Sequence, residues 1–158
     1  MRKHITGNGK QPDRPDTSGD WLDLERLARV EITSEDAEHP VESALVQGNG
    51  SGWLASQPGK QTIRLIFDDP QKITRIQLLF EESKRERTQE FNMSWSSQGS
   101  DTSREIVRQQ YNFSPPANTQ ELEDYTVELD GVLMLEINII PDISGGDARA
   151  SLARLRLA

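Results

Sequence analysis

Alternation of apolar and polar residues over short segments is the feature that most constrains how this sequence can fold. Residues 91–96 show it clearly, with Phe91, Met93 and Trp95 at the odd positions and small polar residues between them. Successive side chains of a β-strand point to opposite faces of the sheet, so this segment predicts a strand with one buried and one solvated face. The same period of two recurs at residues 63–67, 76–80, 125–129, 133–139 and 151–158.

Clusters of Gly, Pro, Asp, Asn and Ser separate these segments at intervals typical of antiparallel strands. We predict that the Asp-Asp-Pro cluster at residues 68–70 ends one strand and that Asp130-Gly131 forms a tight turn between two others. Residues 151–158 are predicted to form one last strand. No segment has helical periodicity over the length of a full helix, so the sequence predicts an antiparallel all-β sandwich.

A short helical turn is expected where the ordered part of the chain begins. Trp21, Leu24 and Leu27 recur at helical spacing behind a cap at Ser18 or Asp20. We therefore predict one helical turn, with Trp21 closing one end of the core.

Length and composition favour one domain behind a polar segment. A chain of 158 residues has room for a single hydrophobic core. Residues 1–20 combine Gly, Pro and charge without apolar periodicity, which is typical of a flexible leader. The expected organisation is a leader over residues 1–20 and a β-sandwich domain over residues 21–158.

Charge and hydropathy exclude several classes of partner. A net charge of -8 gives a surface that repels phosphate backbones, so nucleic acid is not an expected partner. The chain has no cysteine, which excludes disulfides, thiolate metal ligands and thiol nucleophiles. No apolar run follows the basic start, and the most apolar stretch, residues 132–141, is interrupted by Glu136 and Asn138. We expect a cytoplasmic protein without a signal peptide and without a membrane partner.

Several motifs, taken in order, resemble those of a known family. Residues 39–45 followed by residues 50–53 are similar in order and spacing to the segment P-x-x-A-x-D-G-x-x-x-T-x-W of discoidin-like domains. These domains are also called coagulation-factor type C domains or family 32 carbohydrate-binding modules. The resemblance continues through residues 61–67, 73–76, 87–99 and 150–155, and so covers most of the chain.

The resemblance implies a jelly-roll β-sandwich of about eight strands with a galactose-binding-domain-like fold, which agrees with the alternation pattern. It also implies that loops at one end bind a ligand, often a sugar, while the strands serve as scaffold. Many relatives hold calcium with acidic residues before the conserved Trp and in the last strand, where this chain has Val46, Gly48 and Arg154. Because the carboxylates are missing and Arg154 is positive, we predict no metal at this position and no cofactor.

Aromatic side chains are candidate sugar platforms, because their faces pack against the apolar face of a pyranose ring. Trp53 and Trp95 are instead predicted to be buried, since Trp95 shares a strand face with core residues and Trp53 matches the structural tryptophan of the family. Tyr111 and Phe113 are better candidates because a Pro-rich stretch that must leave the sheet follows them, although core packing explains Phe113 as well. For Arg87, a structural carboxylate partner is favoured over sugar hydroxyls.

The resulting hypothesis is a non-catalytic module that binds carbohydrate or another small polar ligand through loops at one end of the sandwich. The sequence has no motif of a known hydrolase or nucleotide-binding enzyme, and adjacent carboxylates on a strand point to opposite faces. The alternative hypothesis is an intracellular protein-interaction scaffold, a role that this fold also serves. No catalytic or metal-binding residue is proposed, and the candidate ligand-binding residues are Glu38, His39, Arg85, Arg87, Tyr111, Asn112, Phe113 and Asn118.

Overall fold

A computed structural model describes residues 21–47, 50–97, 100 and 102–158, and within them the chain consists mostly of strands. The predicted leader lies outside the described residues. The elements are α1 (Leu24–Leu27), β1 (Ala28–Ile32), α2 (Glu42–Leu45), β2 (Trp53–Pro58), β3 (Gln61–Glu81), β4 (Arg87–Ser97), β5 (Arg104–Phe113), β6 (Gln120–Ile140), β7 (Arg149–Leu152) and β8 (Arg154–Leu157). All strand pairs are antiparallel, which confirms the all-β prediction. In the described ranges, neither helix is long and apolar enough to cross a membrane.

Two long strands, β3 and β6, organise the sandwich. They pair from Gln61 opposite Ile139 to Glu81 opposite Gln120, with shifts of register near the middle. The main sheet has the order β1-β3-β6-β4-β5, and β8 pairs with the second half of β3. The first half of β3 neighbours β1 and the second half neighbours β8, so the paired strands bend and contribute to two facing layers. A separate two-stranded sheet, β2 with β7, completes the fold.

The bend corrects two predictions. Residues 68–70 do not end a strand, and Asp130-Gly131 is not a hairpin turn, because β3 and β6 run through these positions as continuous strands. The two sites are at the same level of the paired strands, where the register shifts. An Asp-Asp-Pro cluster fits there because Pro70 has no N–H to donate to a ladder that is already interrupted. The turn-forming residues therefore bend the strands at a local interruption of the ladder, and the pairing continues on both sides of it.

The core lies between the two layers and follows the predicted alternation. Phe80 of one layer meets Phe91 of the other, with ring centroids 5.1 Å apart. Met93 is buried as predicted, and Trp53 is 1% exposed, which confirms its expected burial. Trp95 is only partly buried and packs against the core, with the guanidinium of Arg104 5.4 Å from its ring centroid.

The first described residues form the predicted helical turn with a different cap. Asp23 is the N-cap of α1, and its side chain accepts a hydrogen bond from the backbone N–H of Arg26 at 3.4 Å. The predicted caps, Ser18 and Asp20, lie outside the described residues. Trp21 does not close the core: it is partly exposed, and Arg75 lies over its ring. Its expected place in the core is taken by other apolar side chains of the turn.

The two ends of the described chain lie side by side. The backbone N–H of Leu22 donates to the carbonyl of Leu157 at 2.7 Å. The carbonyl of Ala158 accepts from the N–H groups of Thr74 and Arg75, at 2.6 and 2.9 Å. Both ends are therefore held beside the bend of β3.

The predicted last strand is interrupted at Ala153. Residues 149–152 pair with β2, whereas residues 154–157 pair with β3. Gly52 passes directly over the break: an added Cβ would lie 2.7 Å from Ala153 Cα and 2.7 Å from the carbonyl oxygen of Leu152. The close approach of two backbones leaves no room for a side chain, so this crossing sets where the β2–β7 sheet leaves the main sheet.

Replacement of Gly52 by Ala tests the crossing. Gly59 is a matched control, because its φ of 90° is almost the 91° of Gly52 but an added Cβ would meet nothing within 4 Å. Gly59→Ala should cost about 1–2 kcal/mol from the backbone conformation alone. Gly52→Ala should cost a further ~1–3 kcal/mol, because backbone atoms must move. Urea unfolding of both variants measures the difference, and equal losses would contradict the close approach.

Candidate functional site

The departure of β7 from β3 opens a cleft of about 490 Å³ at the loop end of the sandwich. Beyond Leu79, the edge of β3 that faces β8 has no strand partner among the described residues, and β7 pairs only with β2. The loops before β2, between β3 and β4 and between β5 and β6 meet at this gap. The cleft is lined by His39, Ser51, Trp53, Leu54, Glu81, Glu82, Ser83, Lys84, Thr119, Gln120, Arg149, Ser151, Leu152 and Ala153.

The apolar residues of the cleft come from the β2–β7 side. Leu54, Leu152 and Ala153 belong to the β2–β7 sheet and the break that follows it. Trp53 lies beneath them, and its indole N–H donates to the carbonyl of Ser34 at 3.0 Å. Because Trp53 is buried, it supports the cleft and offers no exposed aromatic face.

The opposite side is polar and is built from the ends of β3 and β6. Gln120 Nε2 donates to Glu81 Oε2 at 2.9 Å, across a pair of directly opposed residues. The backbone N–H of Glu82 donates to the carbonyl of Thr119 at 2.9 Å. These bonds fix the ends of β3 and β6, and the loops next to them, relative to each other.

A buried ion pair holds the loop between β3 and β4. The side chain of Arg87 is 1% exposed, and its Nε donates to Glu82 Oε1 at 2.6 Å. Its other donors reach the carbonyl of Pro141 at 2.8 Å, and its guanidinium lies 4.8 Å from the ring centroid of Phe113. Burial raises the pKa of Glu82, but the hydrogen bonds from Arg87 and from the N–H of Lys84 outweigh it and leave the pKa below its ordinary value. Arg87 therefore has the structural role that the sequence favoured.

Removal of this ion pair should destabilise the fold far more than removal of an exposed one. Arg87→Ala leaves Glu82 without its partner and should cost about 3–5 kcal/mol. Arg85→Ala breaks the exposed pair with Asp147, at 2.9 Å, and should cost far less, because solvent-exposed ion pairs contribute little to the free energy of unfolding. Chemical denaturation of both variants measures the two losses. Similar losses for the two variants would show that Arg87 does not hold the loop.

Asp36 connects two residues of the cleft. Its carboxylate lies 3.6 Å from His39 Nδ1 and 3.7 Å from Arg149 NH1. It also accepts a hydrogen bond from the backbone N–H of Glu38 at 2.9 Å, and this bond is the largest cause that lowers the pKa of Asp36. Asp36 therefore stays ionised and orients a histidine and an arginine on the same side of the cleft.

His39 is the candidate ligand-binding residue that the structure places in the cleft. Glu38 and Arg85 are exposed on the adjacent loops, outside the cleft lining. Phe113 and Arg87 are buried, so neither side chain is open to a ligand; Phe113 has the core position that the sequence also allowed. The remaining candidates lie in or just after β5, and each makes a contact with another residue of the chain.

These remaining candidates are Tyr111, Asn112 and Asn118. Tyr111 is partly buried and packs edge-on against Phe113, with centroids 5.0 Å apart. Asn112 Oδ1 accepts a hydrogen bond from Thr88 Oγ1 at 2.5 Å. The carbonyl of Asn118 accepts from the N–H of Ser114 at 2.9 Å and closes the loop after β5. None of the three lines the cleft.

Sequence reasoning missed most of the cleft. Glu81, Lys84 and Gln120 occupy strand ends and loops whose meeting depends on the pairing of β3 with β6. Arg149 and Ser151 reach the cleft because the last strand breaks at Ala153. The mixed-charge run at residues 81–87 is the one signal in the sequence that marks this loop, and its mixed signs are more typical of a solvated strand edge than of a binding site.

A buried carboxyl group, also missed, lies behind the loops. Glu121 is 3% exposed, and Gln89 Nε2 donates to its Oε1 at 3.3 Å. Its Oε2 has no hydrogen-bond partner among the described residues. Burial, and next the neighbouring Glu123, raise the pKa of Glu121 to about 9. Glu121 is therefore an uncharged acid at neutral pH.

Glu121→Gln should change how stability depends on pH. The folded state keeps a proton that the unfolded chain releases above about pH 4.5, so wild-type stability should fall as the pH rises from that value towards 9. The variant should lose this decline and be more stable than wild type at pH 8.5, by on the order of 1–3 kcal/mol, with little difference at pH 4.5. Urea unfolding at both pH values measures the effect. Glu128→Gln, at an exposed position on the same strand, is the control; the same change in both variants would contradict the assignment.

Two arginines of β8 bear on the prediction that no metal binds at the position that the resemblance implies for calcium. Arg154 replaces the family glutamate, and Arg156 NH1 donates to the carbonyl of Ala44 at 3.1 Å. Burial, with a contribution from Arg154, lowers the pKa of Arg156 to about 10, which still leaves it charged at neutral pH. Among the described residues, no group of three or more acidic or histidine side chains is arranged to hold a metal ion. Since Gly48 lies outside the described residues, the absence of calcium stays a prediction, which the two guanidinium groups support.

Comparison with known proteins identifies the fold. No family model matches the sequence, and no curated protein matches it. The family 32 module of NanJ from C. perfringens, solved in complex with galactose, has a TM-score of 0.62 at 16% identity over 87% of this chain and 96% of that one. The family 32 module of AlyQ, solved in complex with 4,5-unsaturated mannuronic acid, has a TM-score of 0.61 at 16% identity over 89% of this chain and 98% of that one.

A third similar structure is a complex between proteins. A chain in the structure of reduced XRCC1 bound to the DNA pol beta catalytic domain has a TM-score of 0.59 at 14% identity, over 84% of this chain and 96% of that one. These identities are low, so the likenesses establish the fold. The discoidin-like, galactose-binding-like sandwich that the sequence resemblance implied is confirmed.

Proposed function

We propose that this chain is a non-catalytic carbohydrate-binding module and that the cleft between β7 and the end of β3 holds the sugar. The observation that carries the proposal is the cleft itself, which is open at the loop end and has a volume of about 490 Å³. Small-ligand sites commonly have volumes of roughly 300–1,000 Å³, so a mono- or disaccharide fits.

The chemistry of the cleft suits a pyranose ring. Hydroxyl groups of Ser83 and Thr119, together with the amide of Gln120, offer donors and acceptors on the side built from the ends of β3 and β6. Leu54 and Ala153, which are only partly buried, offer a surface for the apolar face of the ring on the other side. A sugar has the same division into a hydroxyl-bearing edge and an apolar face.

The fold comparisons support the same class of ligand. The NanJ module is solved with galactose and the AlyQ module with an unsaturated uronic acid. In both, the fold is that of this chain. The loops at one end of such a rigid scaffold are the usual place for a binding site.

The carboxylates of the cleft argue against hydrolysis. A glycosidase needs two carboxyl groups on opposite sides of the scissile bond, roughly 5–9.5 Å apart. The acidic side chains that line this cleft, Glu81 and Glu82, are consecutive in the chain, and Glu82 is held by Arg87. This arrangement supports a binding role.

One observation favours the alternative function, a protein-interaction scaffold. Leu122 is 57% exposed and lies directly opposite the partly buried Leu79 on the outer face of the sheet. This apolar pair would suit a protein partner better than a sugar. The two functions use different surfaces, so variants in the cleft and at Leu122 separate them.

Calorimetric titration with a saccharide panel tests the proposed function. The panel contains galactose, N-acetylgalactosamine, lactose, sialyllactose, and oligogalacturonate with its methyl ester. His39→Ala and Gln120→Ala should each weaken binding of the best saccharide about tenfold, because each removes roughly one hydrogen bond.

The matched control is Gln71→Ala, at the bend and away from the cleft, which should leave the affinity unchanged. No binding of any panel member would overturn the carbohydrate proposal. Binding that Leu122→Ser abolishes and the cleft variants leave intact would place the site elsewhere.

A further inference from the structure

Some of the charged side chains that line the cleft have hydrogen-bond partners within the protein, and others keep donors that the protein does not use. Five titratable side chains line it: Glu81, Glu82, Lys84, Arg149 and His39. If all were equally available, the two carboxylates would offset the two permanent cations. The hydrogen bonds show that they are not equally available.

Both carboxylates are already occupied. Glu82 receives Arg87 Nε at 2.6 Å and the backbone N–H groups of Lys84 and Arg85 at 3.0 and 3.2 Å. Glu81 receives Gln120 Nε2 at 2.9 Å. Arg87 adds its own positive charge directly behind Glu82, so the net field of this pair at the cleft is weak.

The cations are the groups left with unused donors. Lys84 has no carboxylate within ion-pair distance in the part of the chain that the structure describes. Arg149 has one contact, to Asp36 at 3.7 Å, and its side chain remains 41% exposed. A guanidinium has five N–H donors, so most of those of Arg149 are free for a ligand oxygen.

We propose that the ligand of the cleft is an acidic saccharide, whose carboxylate or sulfate group is bound by Lys84 and Arg149. This inference rests on the proposed carbohydrate function and names the ligand class of the same site. Charge-assisted hydrogen bonds to two cations discriminate strongly between an acidic sugar and its neutral counterpart. With a net charge of -8, the protein as a whole does not attract anions, so recognition depends on these two side chains at short range.

Matched pairs of acidic and neutral saccharides test the proposal. Oligogalacturonate is compared with its methyl ester, and sialyllactose with lactose, by calorimetry at low and at 0.3 M NaCl. The tightest ligand should be acidic, should bind at least about tenfold more tightly than its neutral partner, and should weaken at the higher salt concentration.

Lys84→Met and Arg149→Met should each remove most of the preference for the acid while binding of the neutral partner stays within about twofold. Lys72→Met is the matched control, because Lys72 is an exposed lysine at the bend, near Asp130. Thermal unfolding confirms that the variants remain folded.

The outcomes separate the two proposals. Equal or tighter binding of neutral saccharides, or an acid preference that both variants retain, would overturn the acidic ligand and leave the carbohydrate function in place. Failure of every saccharide to bind would overturn both.

Discussion

The antiparallel pairing of β3 with β6 is the interaction on which the rest of this structure depends. It joins residues 61–81 to residues 120–140 across a bend, so one pair of strands supplies part of both layers. β1 and β8 attach to the two halves of β3, β4 attaches to β6, and β5 attaches to β4. The facing layers bury Phe80 of β3 against Phe91 of β4, and the ends of β3 and β6 carry Glu81 and Gln120 to the cleft. The register between β3 and β6 therefore determines both the packing of the core and the position of the cleft.

The alternation of apolar and polar residues predicted most of the strands, because a strand with one buried face has an apolar residue at every second position. Phe91 and Met93 are buried as that pattern requires. The continuity of β3 and β6 was not predictable from it. Local turn chemistry at residues 68–70 and at Asp130-Gly131 indicates a break, and whether the chain bends or turns back depends on the partner strand. The break at Ala153 was missed for a related reason: the backbone crossing with Gly52 lies a hundred residues away in sequence.

The site was less predictable than the fold. The resemblance placed ligand binding at the loop end, and His39 lines a cleft there. An arginine and an aromatic residue are common in sugar-binding sites, but Arg87 and Phe113 are buried together and hold a loop in place. The burial of Glu121 was not predictable, since a glutamate on an alternating strand gives no sign that other side chains cover it. The residues that line the cleft are brought together by strand ends that only tertiary pairing aligns.

The side-by-side placement of Leu22 and Leu157 determines where further segments can join the domain. Both are held next to the start of the second half of β3, whereas the cleft opens at Glu81, the far end of the same half. Leu157 lies opposite Ile76, five residues before Glu81, so about 17 Å of strand separates the two levels. Any segment joined to the domain next to Leu22 or Ala158 therefore starts away from the mouth of the cleft. A sensor surface attached at this level would leave the loops around the cleft facing solution.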